Sequence, residues 1–190
     1  ADGSSLKAVV EIGGNVTVAQ DSVLNVAGRW TNDLKDGATA LVVNRGGSIN
    51  LDSAQDLLLS QGSVLDASAG AWLKGDGKLT QGGAGSITLR AAQSNNRDGK
   101  LDLAGATLQA RGFSKGGKLI LAAPNLSIGG LAGSGLGLGA DFFAKGGFGA
   151  FDLTGIGSAT LVAGTQLTLQ AEGLIFAEDY RERGGSASIA

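Results

Sequence analysis

Gly46-Gly47-Ser48-Ile49-Asn50-Leu51 is a glycine corner followed by an apolar, a polar and an apolar residue, and the chain returns to this pattern repeatedly. An earlier copy is Gly13-Gly14-Asn15-Val16-Thr17-Val18. Later ones are Gly83-Ala84-Gly85-Ser86-Ile87-Thr88-Leu89 and Gly116-Gly117-Lys118-Leu119-Ile120-Leu121. A looser copy is Gly146-Gly147-Phe148-Gly149-Ala150-Phe151-Asp152-Leu153. The first apolar residues stand at 16, 49, 87, 119 and 151, at intervals of 33, 38, 32 and 32 residues. A near-constant period of this length signals a repeat architecture.

Between these copies lie further short alternating segments: Leu24-Asn25-Val26, Leu57-Leu58-Leu59, Leu65-Asp66-Ala67, Leu101-Asp102-Leu103, Leu108-Gln109-Ala110, Leu126-Ser127-Ile128 and Leu167-Thr168-Leu169. Alternation at period two over three to five residues describes strands with one buried face. No window carries a 3.6-residue apolar stripe, so helix is minor. Strands this short make poor hairpins, and two-residue Asn-Gly or Asp-Gly turns are scarce.

The expectation is therefore all-β: a right-handed parallel β-helix of about five coils, with residues 1–190 as a single segment. Each strand would stack on its equivalent in the next coil. Val16, Ile49, Ile87, Leu119 and Phe151 are expected to form one inward ladder, and Val18, Leu51, Leu89, Leu121 and Leu153 another. Thr17, Asn50 and Thr88 would point outward. Glycine would supply corners at positive φ. The polar stretch 91–99 and the Trp72-containing stretch 71–85 are expected as loops projecting from the shaft.

Composition narrows the chemistry. The 190 residues are 43% hydrophobic, which excludes a disordered tail, and no apolar run approaches the ~20 residues of a membrane helix. Glycine occurs 34 times without a three-residue period and proline once, which excludes collagen. Cys, His and Met are absent, so thiol and imidazole nucleophiles, Ser-His-Asp triads and Cys/His zinc sites are excluded. A formal charge of −2 gives no pull toward nucleic acid. The absence of Met, with no signal peptide in Ala1-Asp2-Gly3, leads us to expect a processed chain or an internal fragment.

No motif assigns a site. The glycines form neither a phosphate loop nor a dinucleotide fingerprint. Gly146 to Asp152 approaches the calcium-binding nonapeptide, but Asp152 falls one residue late, which turns its carboxylate to the other face. Asp52, Asp66, Asp102 and Asp152 fall in separate coils and read as solvent-facing strand carboxylates. Phe142, Phe143, Phe148 and Phe151, with Phe176 and Tyr180, read as core stacking between coils, the alternative being a platform for sugar rings. Glu178 to Gly184 is charged and reads as a coil-exit loop before a strand-like Ser186 to Ile189. No catalytic, cofactor-binding or metal-ligating residue is assigned, and no cofactor is expected.

The segments Gly85 to Leu89, Gly116 to Pro124 and Asn125 to Gly129 resemble the filamentous-haemagglutinin-like exoproteins of two-partner secretion. Phe142 to Leu153, continued by Ala163 to Leu167, is similar to a region toward the C-terminal part of large members of that family. The resemblance is weak before residue 45, and no secretion domain is recognisable. It implies a long β-helical shaft on the Gram-negative cell surface or secreted from it, exported by an outer-membrane β-barrel transporter. Such a shaft would serve adhesion to host receptors, extracellular polysaccharide or neighbouring bacteria. The missing Cys and His and the scattered carboxylates lead us separately to expect no enzymatic activity. Uncovered strand edges at coil ends would favour end-to-end association, with side-by-side pairing the other mode open to it. The alternative function is a carbohydrate-binding or carbohydrate-active domain.

Overall fold

The computed structural model describes residues 6–38, 41–92, 98–103, 105–130, 135–170 and 172–185. The protein is all-β. Among the described residues the only α-helical element is the single turn α1 (Asp33–Asp36), with 3-10 turns at Ala140–Ala144 and Tyr180–Glu182. The strands, in chain order, are β1 (Lys7–Ile12), β2 (Val16–Val18), β3 (Val23–Asn25), β4 (Trp30–Asn32), β5 (Ser48–Ser53), β6 (Leu57–Leu59), β7 (Val64–Asp66) and β8 (Ala71–Leu73). They continue with β9 (Leu79–Gln81), β10 (Ser86–Arg90), β11 (Leu101–Asp102), β12 (Thr107–Gln109), β13 (Gly117–Ile128), β14 (Leu136–Leu138) and β15 (Phe148–Leu161).

These strands form four sheets. Sheet I runs β1-β5-β10-β13, with both β14 and β15 paired to β13. Sheet II is β2-β6-β11, sheet III β3-β7-β12 and sheet IV β4-β8-β9. Every pairing is parallel except that of β8 with β9. The chain visits sheets I, II and III in order and returns to I, three times over.

The expected register holds along sheet I from β5 onward. Ile49, Ile87, Leu119 and Phe151 are successive partners, as are Leu51, Leu89, Leu121 and Leu153. Ile49, Leu51, Ile87, Leu89, Leu119 and Leu121 are at most 1% exposed. Burying each such side chain stabilises the fold by about 1.5–3 kcal/mol.

The first circuit differs from the expectation. The partners of Ile49 and Leu51 are Ala8 and Val10 of β1, not Val16 and Val18. Val16 and Val18 belong to sheet II, opposite Leu57 and Leu59. The physical reason lies in the glycines. A Cβ on Gly47 would sit 1.9 Å from the Leu6 carbonyl oxygen, and one on Gly85 would sit 1.8 Å from that of Gly47. Around Gly13 and Gly14 nothing lies within 4 Å. The first two glycines are corners where adjacent circuits touch, and Gly13-Gly14 is an open turn with the same spelling. Backbone approach, rather than positive φ, fixes glycine at positions 47 and 85; positive φ is met at Gly146 and Gly147, where the chain turns into β15.

The circuits also differ in length, for a reason that lies between sheets III and I. Intracircuit bonds join Gly47 N to Val26 O, Gly85 N to Ala67 O and Gly117 N to Ala110 O, each at 2.8 Å. Between those bonded pairs the first circuit inserts β4 and α1, the second inserts the β8–β9 hairpin, and the third inserts only a short bend. The segment 71–85, expected as a projecting loop, is thus a hairpin with Ala71 and Leu73 fully buried in a second cluster with Trp30. Of the other expected loop, residues 93–97 lie outside the described residues, while Ala91 and Ala92 are buried.

Two further expectations fail. Thr88 is buried rather than solvent-facing, lying on the middle strand between Asn50 and Ile120. Leu167 to Leu169 forms no strand, and Leu169 is exposed; among the described residues no strand pairs with this segment. Beyond Ala123 the pairing of β13 with β15 shifts register at Pro124, where an absent N–H makes a ladder break cheap.

Candidate functional site

The four strand carboxylates do not converge, although Asp52 on β5 and Asp66 on β7, expected in separate coils, lie in one circuit on different sheets. Asp52 on β5 lies 3.4 Å from Arg90 on the adjacent β10, and Asp152 on β15 lies 3.1 Å from Lys118 on β13. Asp102 on sheet II pairs with Lys100 at 2.6 Å, and Asp66 on sheet III accepts a hydrogen bond from the Ser68 backbone at 2.9 Å. Among the described residues no group of three acidic side chains stands close enough to hold a metal ion. No helix of the described residues is long and apolar enough to cross a membrane.

The aromatic residues separate into two clusters. Phe142, Phe143, Phe148 and Phe151 meet edge-on or tilted, with centroids 5.0–6.3 Å apart. Phe143 and Phe148 are buried and, with Leu136 and Leu138, belong to the main core. They cover the core where sheets II and III end. Phe176 and Tyr180 lie elsewhere, against Trp30 and Phe113; Phe176 stacks on Phe113 at 4.5 Å.

That second cluster belongs to a strap that local sequence patterns do not announce. Residues 172–185 run back across the stack. Gly173 bridges Gly112, and Leu174 N donates to Gly112 O at 2.9 Å. The charged turn then reaches the first circuit, where Asn32 Nδ2 donates to the carbonyls of Arg181 and Arg183 at 3.0 and 2.8 Å. Trp30 Nε1 donates to the same Arg183 carbonyl at 3.0 Å, and Gly185 N donates to Asp36. Asn32 is fully buried, and its remaining oxygen accepts from Leu34 N, capping α1. The segment expected as a coil-exit loop is therefore a clasp on residues some 150 positions earlier; Ser186 to Ile189 lie outside the described residues.

One trench follows the exposed edges of β11 and β12. Sheets II and III are three strands high, whereas sheet I continues to β13 and β15, and the step between them is open. One half, of about 270 Å³, lies between β12 and the turn Ala140–Ala144 and is bounded by Arg111 and Glu172. The adjoining half, of about 460 Å³, lies between β11 and β14 and is bounded by Lys100 and Asp102. Leu108, Phe142 and Lys145 line both halves. Arg111 is held at 3.0 and 2.7 Å by one Glu172 oxygen and at 2.6 Å by Gln109 Oε1. Lys145 pairs with Asp141 at 2.5 Å.

Hydrogen bonding to Lys145 and its charge hold the Asp141 carboxyl below the usual aspartate range. Hydrogen bonding to Asp102 and its charge raise the Lys100 ammonium above the ordinary lysine value. A second, shallow depression follows the glycine corners Gly46-Gly47, Gly85 and Gly116-Gly117. It is lined mostly by backbone and offers little chemistry besides Ser48, Ser86 and Lys118.

No protein-family model, curated protein or solved structure matches this chain.

Proposed function

We propose that the chain is a segment of right-handed parallel β-helix, and that it serves as a structural part of a secreted or surface-held bacterial adhesin. The supporting observation is the in-register repetition of parallel strands: each circuit places the same kind of side chain on the same ladder, so length is added without a new core design. The hand follows from the strong preference of parallel crossovers for right-handedness. Asp52 and Asp152 on sheet I and Asp102 on sheet II are each paired with a cation and offer no general acid facing a general base, which favours a structural role over polysaccharide cleavage. The outer-membrane transporter and the adhesive target belong to this same reading and rest on the resemblance of Gly85 to Gly129 and Phe142 to Leu167.

Two measurements test the proposal. Paired cysteines at Thr17 and Leu58, opposite each other on β2 and β6, should cross-link on oxidation, whereas a Thr17 and Asn50 pair should not. The reverse result would dismantle the winding. Immunogold labelling of intact source cells should decorate the outer surface, and label found only after permeabilisation would reject the adhesin reading.

A further inference from the structure

We propose that the trench along β11 and β12 binds a neutral oligosaccharide. The inference rests on the trench alone and does not depend on the adhesin reading.

Its floor is apolar. Leu108 and Phe148 are buried, and the half-buried ring of Phe142 forms part of one wall. A pyranose ring offers such a floor its C–H face and presents its hydroxyls to the sides. The sides here carry donors and acceptors in fixed places. An ammonium has three donors, so Lys100 and Lys145 keep two each after pairing with their carboxylates. The guanidinium of Arg111 is immobilised by Gln109 and Glu172, which lowers the ordering cost of any contact it makes. Thr107 adds an exposed hydroxyl on the trench edge.

Charge decides the ligand class. The three cations Lys100, Arg111 and Lys145 are each matched by a carboxylate, namely Asp102, Glu172 and Asp141. Asp56 also acts on Lys100, so a rim matched in this way has no net positive field to gather a polyanionic glycan. Strand addition by an extended peptide is disfavoured for another reason. β11 has two residues and β12 three, too short an edge for main-chain bonding to hold a partner strand. Both halves of the trench lie near the size range of small-molecule clefts, about 300–1,000 Å³.

The test is NMR titration of the isotope-labelled protein with neutral hexasaccharides of β-1,4-glucose, α-1,4-glucose and β-1,4-xylose. A heparin hexasaccharide and an extended apolar peptide serve as competitors. At least one neutral sugar should bind saturably, moving the amide signals of Thr107 to Gln109 and Phe142 to Lys145. The affinity should change by less than about twofold between 50 and 500 mM salt, since no net charge is neutralised. Thr107→Trp should fill the trench and weaken binding at least about tenfold, and Thr17→Trp, on the exposed face of the distant β2, should leave it unchanged. Lys145→Ala, an exposed change that the fold tolerates, should weaken binding severalfold and carries the test if Thr107→Trp does not fold. No saturable binding of any neutral sugar, binding of heparin or the peptide alone, or binding indifferent to both trench variants would overturn the proposal.

Discussion

The sheet I wall and the side clasped by residues 172–185 bury comparable side chains by different means. On the wall, Ile49, Ile87 and Leu119 meet residues of their own kind, one circuit away, under a rule that repeats every few dozen residues. On the clasped side, Trp30, Asn32 and Phe113 meet Phe176, Tyr180 and the carbonyls of Arg181 and Arg183, and none of these contacts recurs. The wall is built from many interchangeable apolar contacts. The clasp depends on a few directed ones, so its failure should be local where failure of the wall is global.

The largest expected effect follows from that difference. Leu89→Asp puts a carboxylate into the fully buried ladder and should cost about 4–5 kcal/mol or more, enough to unfold the protein in a circular-dichroism melt. Thr17→Asp, on an exposed strand position, should leave the melt within about 0.5 kcal/mol. Similar behaviour of the two would mean that the ladders are not the main support.

Next in size is a test of the corners. Gly85→Ala drives a methyl into the Gly47 carbonyl and should cost about 3 kcal/mol, because neither backbone can move without breaking the parallel ladder. Gly13→Ala, with open space around it, should be nearly neutral. Chemical denaturation of both variants measures the contrast, and equal costs would refute the distinction between touching and open glycine corners.

The clasp should yield less. Asn32→Ala removes two hydrogen bonds to strap carbonyls and the cap on α1, for about 2 kcal/mol. Limited trypsin digestion should then cut faster at Arg181 and Arg183 while the ladder amides keep their hydrogen-exchange protection. Simultaneous loss of ladder protection would show that clasp and wall form one cooperative unit.

The smallest effect is that of pH. The lowered pKa of Asp141 contributes stability above the ordinary carboxylate range, lost as pH falls through its folded value. The raised pKa of Lys100 contributes stability below the ordinary lysine range, lost as pH rises through its folded value. Both side chains are highly exposed, so both effects are small. With no histidine in the chain, the melting temperature should stay within about 2 °C between about pH 6 and pH 9. A titration step near neutrality would point to a shifted carboxylate in the wall or the clasp.

The strand alternation, the inward faces from Ile49 to Leu153, and the scarcity of helix were all legible in the amino-acid sequence. Side-chain direction alternates along any extended segment, so a local pattern is enough to say which residues are buried together. Which sheet a triplet joins was not legible. Gly13-Gly14-Asn15-Val16 and Gly46-Gly47-Ser48-Ile49 read alike, yet Val16 stacks on Leu57 because β1, which the glycine-corner pattern does not mark, already occupies sheet I. The burial of Thr88 has a related cause: alternation tells which way a side chain points, and the neighbouring strands decide whether water reaches it. The clasp and the trench depend on where distant segments finish. Asn32 and Arg181 are separated by 149 residues, and Arg111 and Glu172 by 61. Periodicity is a local property and carries no information across such spans; only the folded stack, with sheets of unequal height, brings those groups together.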